Sequence, residues 1–230
     1  MSSTTDEMTP SRKGGPDLEK SIPVKKKLTF TDQLRVTFKW ILDPISEWLY
    51  QHDVHPNRLT ILGVLGTGLS AVLAAMGHFR WAGLVFLLMS PIDALDGPLA
   101  RRRGEPQEFG AFVDSVSDRY AELMVFGGLL WYAADQGQTW WAMAIYLAAF
   151  GSVLVSYVRA RAQSLGMEAK VGWVTRVERV LIIGPSLLLN IPMVGVAILA
   201  MGSNLTAFQR IAHVRAQSRR NAAGKKTKQS

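Results

Sequence analysis

The 230-residue sequence contains no cysteine. This absence excludes disulfides, metal sites built on thiolates and a cysteine nucleophile. Acidic residues are also outnumbered, because 18 Asp and Glu stand against 26 Lys and Arg, which gives a formal net charge of +8. A basic balance of this size is expected of proteins that bind nucleic acid or anionic lipid. The position of the charges along the chain decides between the two.

The start of the chain lacks a long apolar run. Residues 1–28 consist mainly of Ser, Thr, Gly, Pro, Lys and Glu with almost no apolar periodicity. This composition predicts a mobile cytoplasmic tail and no signal peptide. Residues 29–52 place apolar and charged side chains on opposite faces at helical spacing. They predict a juxtamembrane amphipathic helix at the membrane interface.

Long apolar runs dominate the rest of the chain. A helix needs about 20 residues to cross the hydrocarbon core of a bilayer, and six apolar segments approach that length. They lie near residues 57–77, 80–101, 111–133, 139–162, 174–190 and 192–212. The pattern predicts an all-α integral membrane protein with six transmembrane helices, which form one domain over 53–212. A basic C-terminal tail is expected over 213–230.

Positive charge is scarce on one side of the predicted membrane. The turns near residues 78–79, 134–138 and 191 bring only Arg80 of the 26 Lys and Arg close to that side. Positively charged loops stay on the cytoplasmic side of a membrane. The sequence therefore predicts a multi-pass protein of the cell membrane with both termini in the cytoplasm. The same distribution of Lys and Arg accounts for the positive net charge, so no nucleic-acid partner is needed to explain it.

Four carboxylates stand at the predicted cytoplasmic ends of the second and third spans. Residues three or four apart share one face of a helix, so each pair of carboxylates faces one way. Such a cluster at membrane depth needs compensation, and hard divalent cations prefer carboxylate oxygen. The four residues are Asp93, Asp96, Asp114 and Asp118. They predict a site for Mg²⁺ or Mn²⁺, and the alternative is four solvated helix ends paired with arginines.

The same stretch resembles the signature of a known family. The order Asp93-x2-Asp96-Gly97-x2-Ala100-Arg101-x8-Gly110-x3-Asp114-x3-Asp118 is similar to that of the CDP-alcohol phosphotransferases. The resemblance implies an enzyme of phospholipid biosynthesis. Such an enzyme transfers a phosphatidyl-type group from a CDP-lipid, such as CDP-diacylglycerol, to an alcohol and releases CMP. It also implies a homodimer, two metal ions bound by the four aspartates, and Asp118 as the base that takes the acceptor proton.

Six residues are expected to contact the CDP group. Small residues let a nucleotide approach the backbone, and an arginine meets a phosphate. Two further polar residues resemble a segment that precedes the first span in this family, although with Pro56 they are also an ordinary helix start. The six are Asn57, Thr60, Gly97, Ala100, Arg101 and Gly110.

A second polar cluster predicts the acceptor. The segments Ser156-Tyr-Val-Arg-Ala-Arg161, Arg176-Val-Glu-Arg179 and Gln209-Arg210 lie at the predicted cytoplasmic ends of the last three spans. They resemble the branch of the family that makes phosphatidylinositol phosphate or its archaeal counterpart, although Arg159 replaces a Lys and Val177 a Pro. The resemblance implies that the phosphate of an inositol phosphate is bound by Ser156, Arg159, Arg179 and Arg210. Each arginine could instead be a snorkelling membrane anchor.

Other functions remain open at this point. Glycerol 3-phosphate also needs a cationic pocket, which would make the chain a phosphatidylglycerophosphate synthase. In a different class, the carboxylates could line the path of an ion-coupled transporter. A membrane phosphatase would use the same metals with water as acceptor. Glu122 continues the face of Asp114 and Asp118 one turn deeper and could join the polar site, although a pairing or structural role is expected for it.

Overall fold

A computed structural model describes residues 44–93, Leu95, Leu99 and residues 107–227. Within these ranges the side chains of residues 56, 57, 93, 107, 108 and 223–227 are not described. The predicted tail and most of the predicted interfacial helix therefore lie outside the described residues. So do Asp96, Gly97, Ala100 and Arg101.

Every regular element in the described part of the chain is an α-helix, which confirms the all-α prediction. A first helical stretch, α1, covers residues 44–51. Six further helices follow: α2 (Pro56–Ala75), α3 (Phe79–Asp93), α4 (Gln107–Asp135), α5 (Thr139–Ser164), α6 (Arg176–Leu188) and α7 (Pro192–Thr227).

Five of these helices end in the same way. A residue with a positive φ follows the helix, and the next N–H donates to a carbonyl five residues back, as in Ile191 to Ser186 (2.8 Å) and Gln138 to Ala133 (2.8 Å). Glycine adopts this conformation without a Cβ penalty, and Asn and Asp tolerate it. The residues are Asp53, Gly77, Gly137, Gly166 and Asn190. These compact ends make the three predicted outer turns short, so α2–α3, α4–α5 and α6–α7 are antiparallel pairs.

Helices α2 to α7 form a closed ring. Each packs mainly against two others, in the order α2, α3, α6, α7, α5, α4 and back to α2. A buried apolar core runs between them. At the end of the three short turns the rings of Phe79, Tyr132 and Trp141 pack edge to face, with centroids 4.9–6.1 Å apart. The other end of the ring carries the predicted site.

Glycines let neighbouring helices approach closely. A Cβ added to Gly128 of α4 would overlap the carbonyl oxygen of Ala71 in α2. A Cβ added to Gly83 of α3 would lie 2.9 Å from the backbone of Leu187 in α6. Real Cβ atoms do not come this close to backbone, so these positions need glycine for packing.

The apolar surface of the helices points outward. Three of the described helices are long and apolar enough to cross a membrane, over Arg58–Ala75, Thr139–Ser164 and Pro192–Ala222, and a shorter apolar helix covers Phe79–Ile92. Exposed leucines and isoleucines of α2, for example Ile61, Leu65 and Leu69, make one continuous apolar face. Such a face would be costly in water and is stable in lipid.

One helix boundary differs from that predicted, and one is not tested. The second apolar segment, predicted over 80–101, forms α3 as far as Asp93, and most of its remaining residues lie outside the described ones. The last helix continues beyond residue 212 through much of the predicted basic tail to Thr227. This extension contains Ala, Gln, Arg and Lys and no proline, and such residues favour a helix whether or not lipid surrounds them.

Candidate active site

Helix α4 carries a column of three acidic side chains. Asp114, Asp118 and Glu122 follow one another at a spacing of four, so they share one face of the helix. Asp118 is buried, with 8% of its surface exposed, while Asp114 and Glu122 are partly buried. The column lies in the first half of α4, away from the short turn that follows Asp135.

Helix α6 faces this column with two arginines. Its start is fixed by a capping box, in which Thr175 N–H donates to the Glu178 carboxylate (3.0 Å). Arg176 forms an ion pair with Asp118. One turn on, Arg179 Nε and Nη2 donate to the two carboxylate oxygens of Glu122, at 2.5 and 3.1 Å.

The two ion pairs bridge opposite helices of the ring. The acids are four residues apart on α4 and the arginines three apart on α6, so both pairs form at once. The expected pairing role of Glu122 is confirmed. Arg176 was not among the predicted site residues. The available signal was its spacing of three from Arg179, which places both arginines on one face of α6, as a spacing of four does for the acids on α4.

Arg119 adds a second guanidinium beside Asp118. Its Nη1 lies 3.4 Å from the Asp118 carboxylate and donates to the carbonyl of Ser115 (2.5 Å). Asp118 is therefore held between guanidiniums from α4 and α6, which compensate its charge at a buried position.

A cavity of about 40 Å³ lies inside the ring between α2, α3, α4 and α6. Asp118, Glu122, Arg176 and Arg179 line one part of it. The other part is mainly apolar and is lined by residues that include Phe86, Val125, Phe126 and Ile183. This volume is sufficient for ordered water.

The end of α3 comes to the same cavity. Ser90 lines it together with Asp118, and Asp93 ends α3 three residues later. The backbone therefore brings the helix that carries Asp93 to the carboxylates of α4, as the sequence predicts. The side chain of Asp93 and the whole of Asp96 lie outside the described residues.

The donor chemistry of this site suits a divalent metal ion. Asp114 and Asp118 present carboxylate oxygens, which Mg²⁺ and Mn²⁺ prefer. Among the side chains that the structure describes, no group of three His, Cys, Asp or Glu lies close enough to hold a metal ion. A complete ligand set would need Asp93 and Asp96.

Of the predicted CDP-binding residues, two have described side-chain environments. Thr60 is buried near the start of α2, whose first turn contains Pro56 as predicted. Gly110 is exposed near the start of α4, and a Cβ added there would have no heavy atom within 4 Å. The side chain of Asn57 is not described.

Two buried leucines are the described residues between α3 and α4. Leu95 and Leu99 pack in one cluster with Leu49 of α1 and Leu59 of α2. The cluster places these two leucines at the start of α2, where Leu59 precedes Thr60.

The predicted acceptor residues lie close together at this end of the ring. Arg210 of α7 is buried, with 3% exposed, and donates to the carbonyls of Val171 (2.9 Å) and Val155 (2.6 Å). Ser156 follows Val155 and is partly buried. The positive charges of Arg159 and Arg179 are near enough to act on Arg210.

These arginines differ in what they already contact. Arg210 ties α7 to α5 and to the segment before α6, and Arg179 is paired with Glu122. Arg159 is exposed on α5. The site thus combines carboxylates for metal ions with guanidiniums for phosphate groups, a combination suited to transfer of a substituted phosphate.

Comparison with known proteins gives a family match. The sequence profile of the CDP-alcohol phosphatidyltransferase family matches residues 53–208. A phosphatidylinositol phosphate synthase of Mycobacteroides abscessus is 37% identical over 151 residues, which cover 65% of this chain and 69% of that protein. An archaetidylinositol phosphate synthase of Pyrococcus horikoshii is 34% identical over 180 residues, which cover 78% of this chain and 93% of that protein.

Solved structures agree with the sequence match. The phosphatidylinositol phosphate synthase of Mycobacterium tuberculosis with CDP-DAG bound is 31% identical, with a TM-score of 0.70 over 76% of this chain and 93% of that chain. The same enzyme in complex with manganese and citrate is 30% identical, with a TM-score of 0.68 over 75% of this chain and 88% of that chain.

Proposed function

This chain belongs to the CDP-alcohol phosphatidyltransferase family, and we propose that it transfers the phosphatidyl-type group of a CDP-lipid to inositol phosphate. The acceptor assignment is carried by Arg179, which lines the cavity together with Asp118, and by the nearness of Arg159 and Arg179 to Arg210. A pocket with several guanidiniums suits an acceptor that brings its own phosphate. The names of the relatives support the same acceptor.

The reaction exchanges one phosphoester bond for another. A hydroxyl oxygen of the acceptor attacks the phosphorus that carries the lipid, the bond from that phosphorus to CMP breaks, and CMP leaves. Asp118 takes the proton of the attacking hydroxyl. Its place at the wall of the cavity, between Arg119 and Arg176, supports this role.

The carboxylates have a second role. Mg²⁺ or Mn²⁺ ions, two in our proposal, would be held by Asp93, Asp96, Asp114 and Asp118, and would neutralise the diphosphate and stabilise the leaving oxygen. The manganese complex of the Mycobacterium tuberculosis enzyme supports a divalent metal in this family.

The donor binds on the α2–α4 side of the site. The cytidine diphosphate group contacts the small and polar residues of the signature and of the start of α2, and the relative with bound CDP-DAG supports a CDP-lipid. The contacts are Asn57, Thr60, Gly97, Ala100, Arg101 and Gly110. The exposed face of Gly110 leaves room for this approach.

The acceptor binds on the α5–α7 side. Ser156, Arg159 and Arg179 contact its phosphate, and Arg210 belongs to the same pocket. Arg159 stands where the resembling branch of the family has a lysine; the arginine keeps the charge and adds a planar, bidentate donor.

The protein is a membrane protein, and in our proposal all six helices of the ring cross the bilayer. Three are long and apolar enough on their own. The other three complete the ring, and the ion pairs of Asp118 with Arg176 and of Glu122 with Arg179 lie between α4 and α6. Residues 29–52 lie at the interface, and the site and both termini face the cytoplasm, because Arg80 is the one basic residue near the short turns. Two copies of the chain form a homodimer.

CMP release tests the proposal directly. Purified protein in detergent receives CDP-diacylglycerol and Mg²⁺ with inositol 1-phosphate, glycerol 3-phosphate, free inositol or serine, and the Asp118→Asn variant serves as the control. We expect release with inositol 1-phosphate alone. Release with glycerol 3-phosphate instead would make the chain a phosphatidylglycerophosphate synthase. If no CMP is released with any acceptor and the protein shows no metal-dependent binding of the CDP-lipid, the transferase proposal is refuted.

A further inference from the structure

Glu122 accepts hydrogen bonds from only two of the three guanidinium nitrogens of Arg179. Its two oxygens accept from Nε and Nη2, at 2.5 and 3.1 Å. Nη1 of the same group is buried and has no hydrogen-bond partner among the described residues. A buried donor without a partner is costly, and buried polar groups are normally paired. The third nitrogen of Arg179 is therefore available to a group that the protein itself does not supply.

The surroundings of Arg179 indicate what that group is. Arg179 is 3% exposed and lines the internal cavity together with Asp118 and Arg176. Arg210 lies near enough for the positive charge of Arg179 to act on it. A donor nitrogen within several positive charges favours an anionic oxygen, and a phosphate oxygen is the best match.

Glu122 lines the same cavity, but its carboxylate has no donor to offer an anionic ligand. It lies one turn beyond Asp118, and the cavity wall continues from it to the apolar side chains of Val125 and Phe126. Both of its oxygens are directed to Arg179. Its contribution to the site is therefore the orientation that it gives to the guanidinium.

We infer that Glu122 is a positioning residue, which fixes Arg179 so that Nη1 meets the phosphate of the acceptor beside the base Asp118. This inference rests on the proposed function only in requiring a phosphorylated acceptor. The fork of a guanidinium pairs with a carboxylate in one plane, so the pair determines where the remaining nitrogen points. Misplacing a substrate-binding group by about 1 Å can reduce activity about a hundredfold.

Glu122 should affect the affinity of the pocket for the acceptor phosphate in two opposite ways. Its negative charge weakens attraction of the acceptor to the pocket, whereas the orientation of Arg179 strengthens it. If charge were the main effect, removing it would tighten acceptor binding. If orientation is the main effect, removing the carboxylate weakens acceptor binding. A single substitution that removes the carboxylate therefore shows which of the two effects, charge or orientation, is the larger.

The experiment compares Glu122→Gln with wild type in the full chain. Gln is nearly isosteric but offers one acceptor oxygen, and its NH₂ group faces an arginine donor. We expect the affinity for inositol 1-phosphate, measured by direct binding and as KM, to fall about ten- to a hundredfold. The affinity for CDP-diacylglycerol should stay within about twofold of wild type, because both carboxylate oxygens of Glu122 accept hydrogen bonds from Arg179 of the acceptor pocket. Glu168→Gln removes an exposed carboxylate and should change neither.

A double-mutant cycle with Arg179→Lys tests whether Glu122 acts through the arginine. In the Lys background, Glu122→Gln should cause no further loss of acceptor affinity. If Glu122→Gln does not fold, Glu122→Asp replaces it, because it keeps the charge and shortens the reach. It should weaken acceptor binding and leave CDP-lipid binding intact.

Several results would overturn the inference. Unchanged or tighter acceptor binding in Glu122→Gln or Glu122→Asp excludes positioning, and an equal loss for both substrates indicates a structural role alone. If wild type uses glycerol 3-phosphate, the proposed acceptor is wrong, and the same comparison is made with that molecule. If wild type binds neither phosphorylated alcohol, both the acceptor and the role of Glu122 are refuted.

Discussion

Two glycines of α4 should respond in opposite ways to the same substitution. Gly110 lies in the first turns of the helix, and an added Cβ there would have no heavy atom within 4 Å. Alanine in a helix is more stable than glycine by about 0.5–1 kcal/mol. Gly110→Ala should therefore fold at least as well as wild type. Gly128→Ala should be destabilised, because its Cβ would overlap the backbone of Ala71.

The predicted effect on ligand binding is the reverse. If the nucleotide of the CDP-lipid passes against the face of Gly110, an added methyl group overpacks that contact at a cost of about 1–3 kcal/mol. This corresponds to a loss of affinity of roughly five- to 150-fold. Gly128 faces α2, so the part of Gly128→Ala that folds should bind CDP-lipid normally.

The assay needs two readouts on three proteins. Thermal unfolding in detergent gives stability, and binding of CDP-diacylglycerol at saturating Mg²⁺ gives affinity. The reasoning is refuted if Gly110→Ala binds the donor as wild type does, because the glycine would then serve no nucleotide contact. It is also refuted if Gly110→Ala unfolds at a clearly lower temperature, which would reveal an internal contact at that position.

Three further predictions follow from the site. Asp118→Asn should lower CMP release about a hundredfold or more while CDP-lipid affinity changes little; a near-normal rate would contradict its role as base. Arg210→Ala should lose about 1–3 kcal/mol of stability, because the carbonyls of Val155 and Val171 lose their hydrogen-bond donor. Arg159→Ala changes an exposed residue, so it should raise the acceptor KM and leave the unfolding temperature unchanged. Chelation of divalent ions should stop CMP release and added Mg²⁺ or Mn²⁺ should restore it; release that continues in chelator would contradict the metal-ligand assignment.

The acidic part of the site could be predicted from the sequence because the helical period determines it. Residues at a spacing of four lie on one face of any helix, so the alignment of Asp114 with Asp118 needs no knowledge of the fold. The same holds for the short turns, where Gly77 and Gly137 mark positions that require a positive φ. Both features are local, and both agree with the structure.

The pairing of charges across the ring could not be predicted in this way. Arg179 and Glu122 are separated by 57 residues, and their contact depends on which helices are neighbours. Periodicity gives the inward face of α4 and of α6, but not the order of the six helices in the ring. The same limit explains why Arg176 was missed. It also explains why Arg210 was weighed as a ligand or an anchor, while its contacts are two carbonyls of its own chain.

These contacts change which arginine tests the acceptor pocket best. Arg179→Ala removes a phosphate contact but also leaves Glu122 as a partly buried, uncompensated charge, so a loss of activity would have two explanations. Arg210→Ala has the same defect, since it breaks the link between α5 and α7. Arg159 is exposed and has no hydrogen bond or ion pair among the contacts described above. A rise in acceptor KM in Arg159→Ala, with stability and CDP-lipid affinity unchanged, is therefore the result that reports on acceptor binding alone.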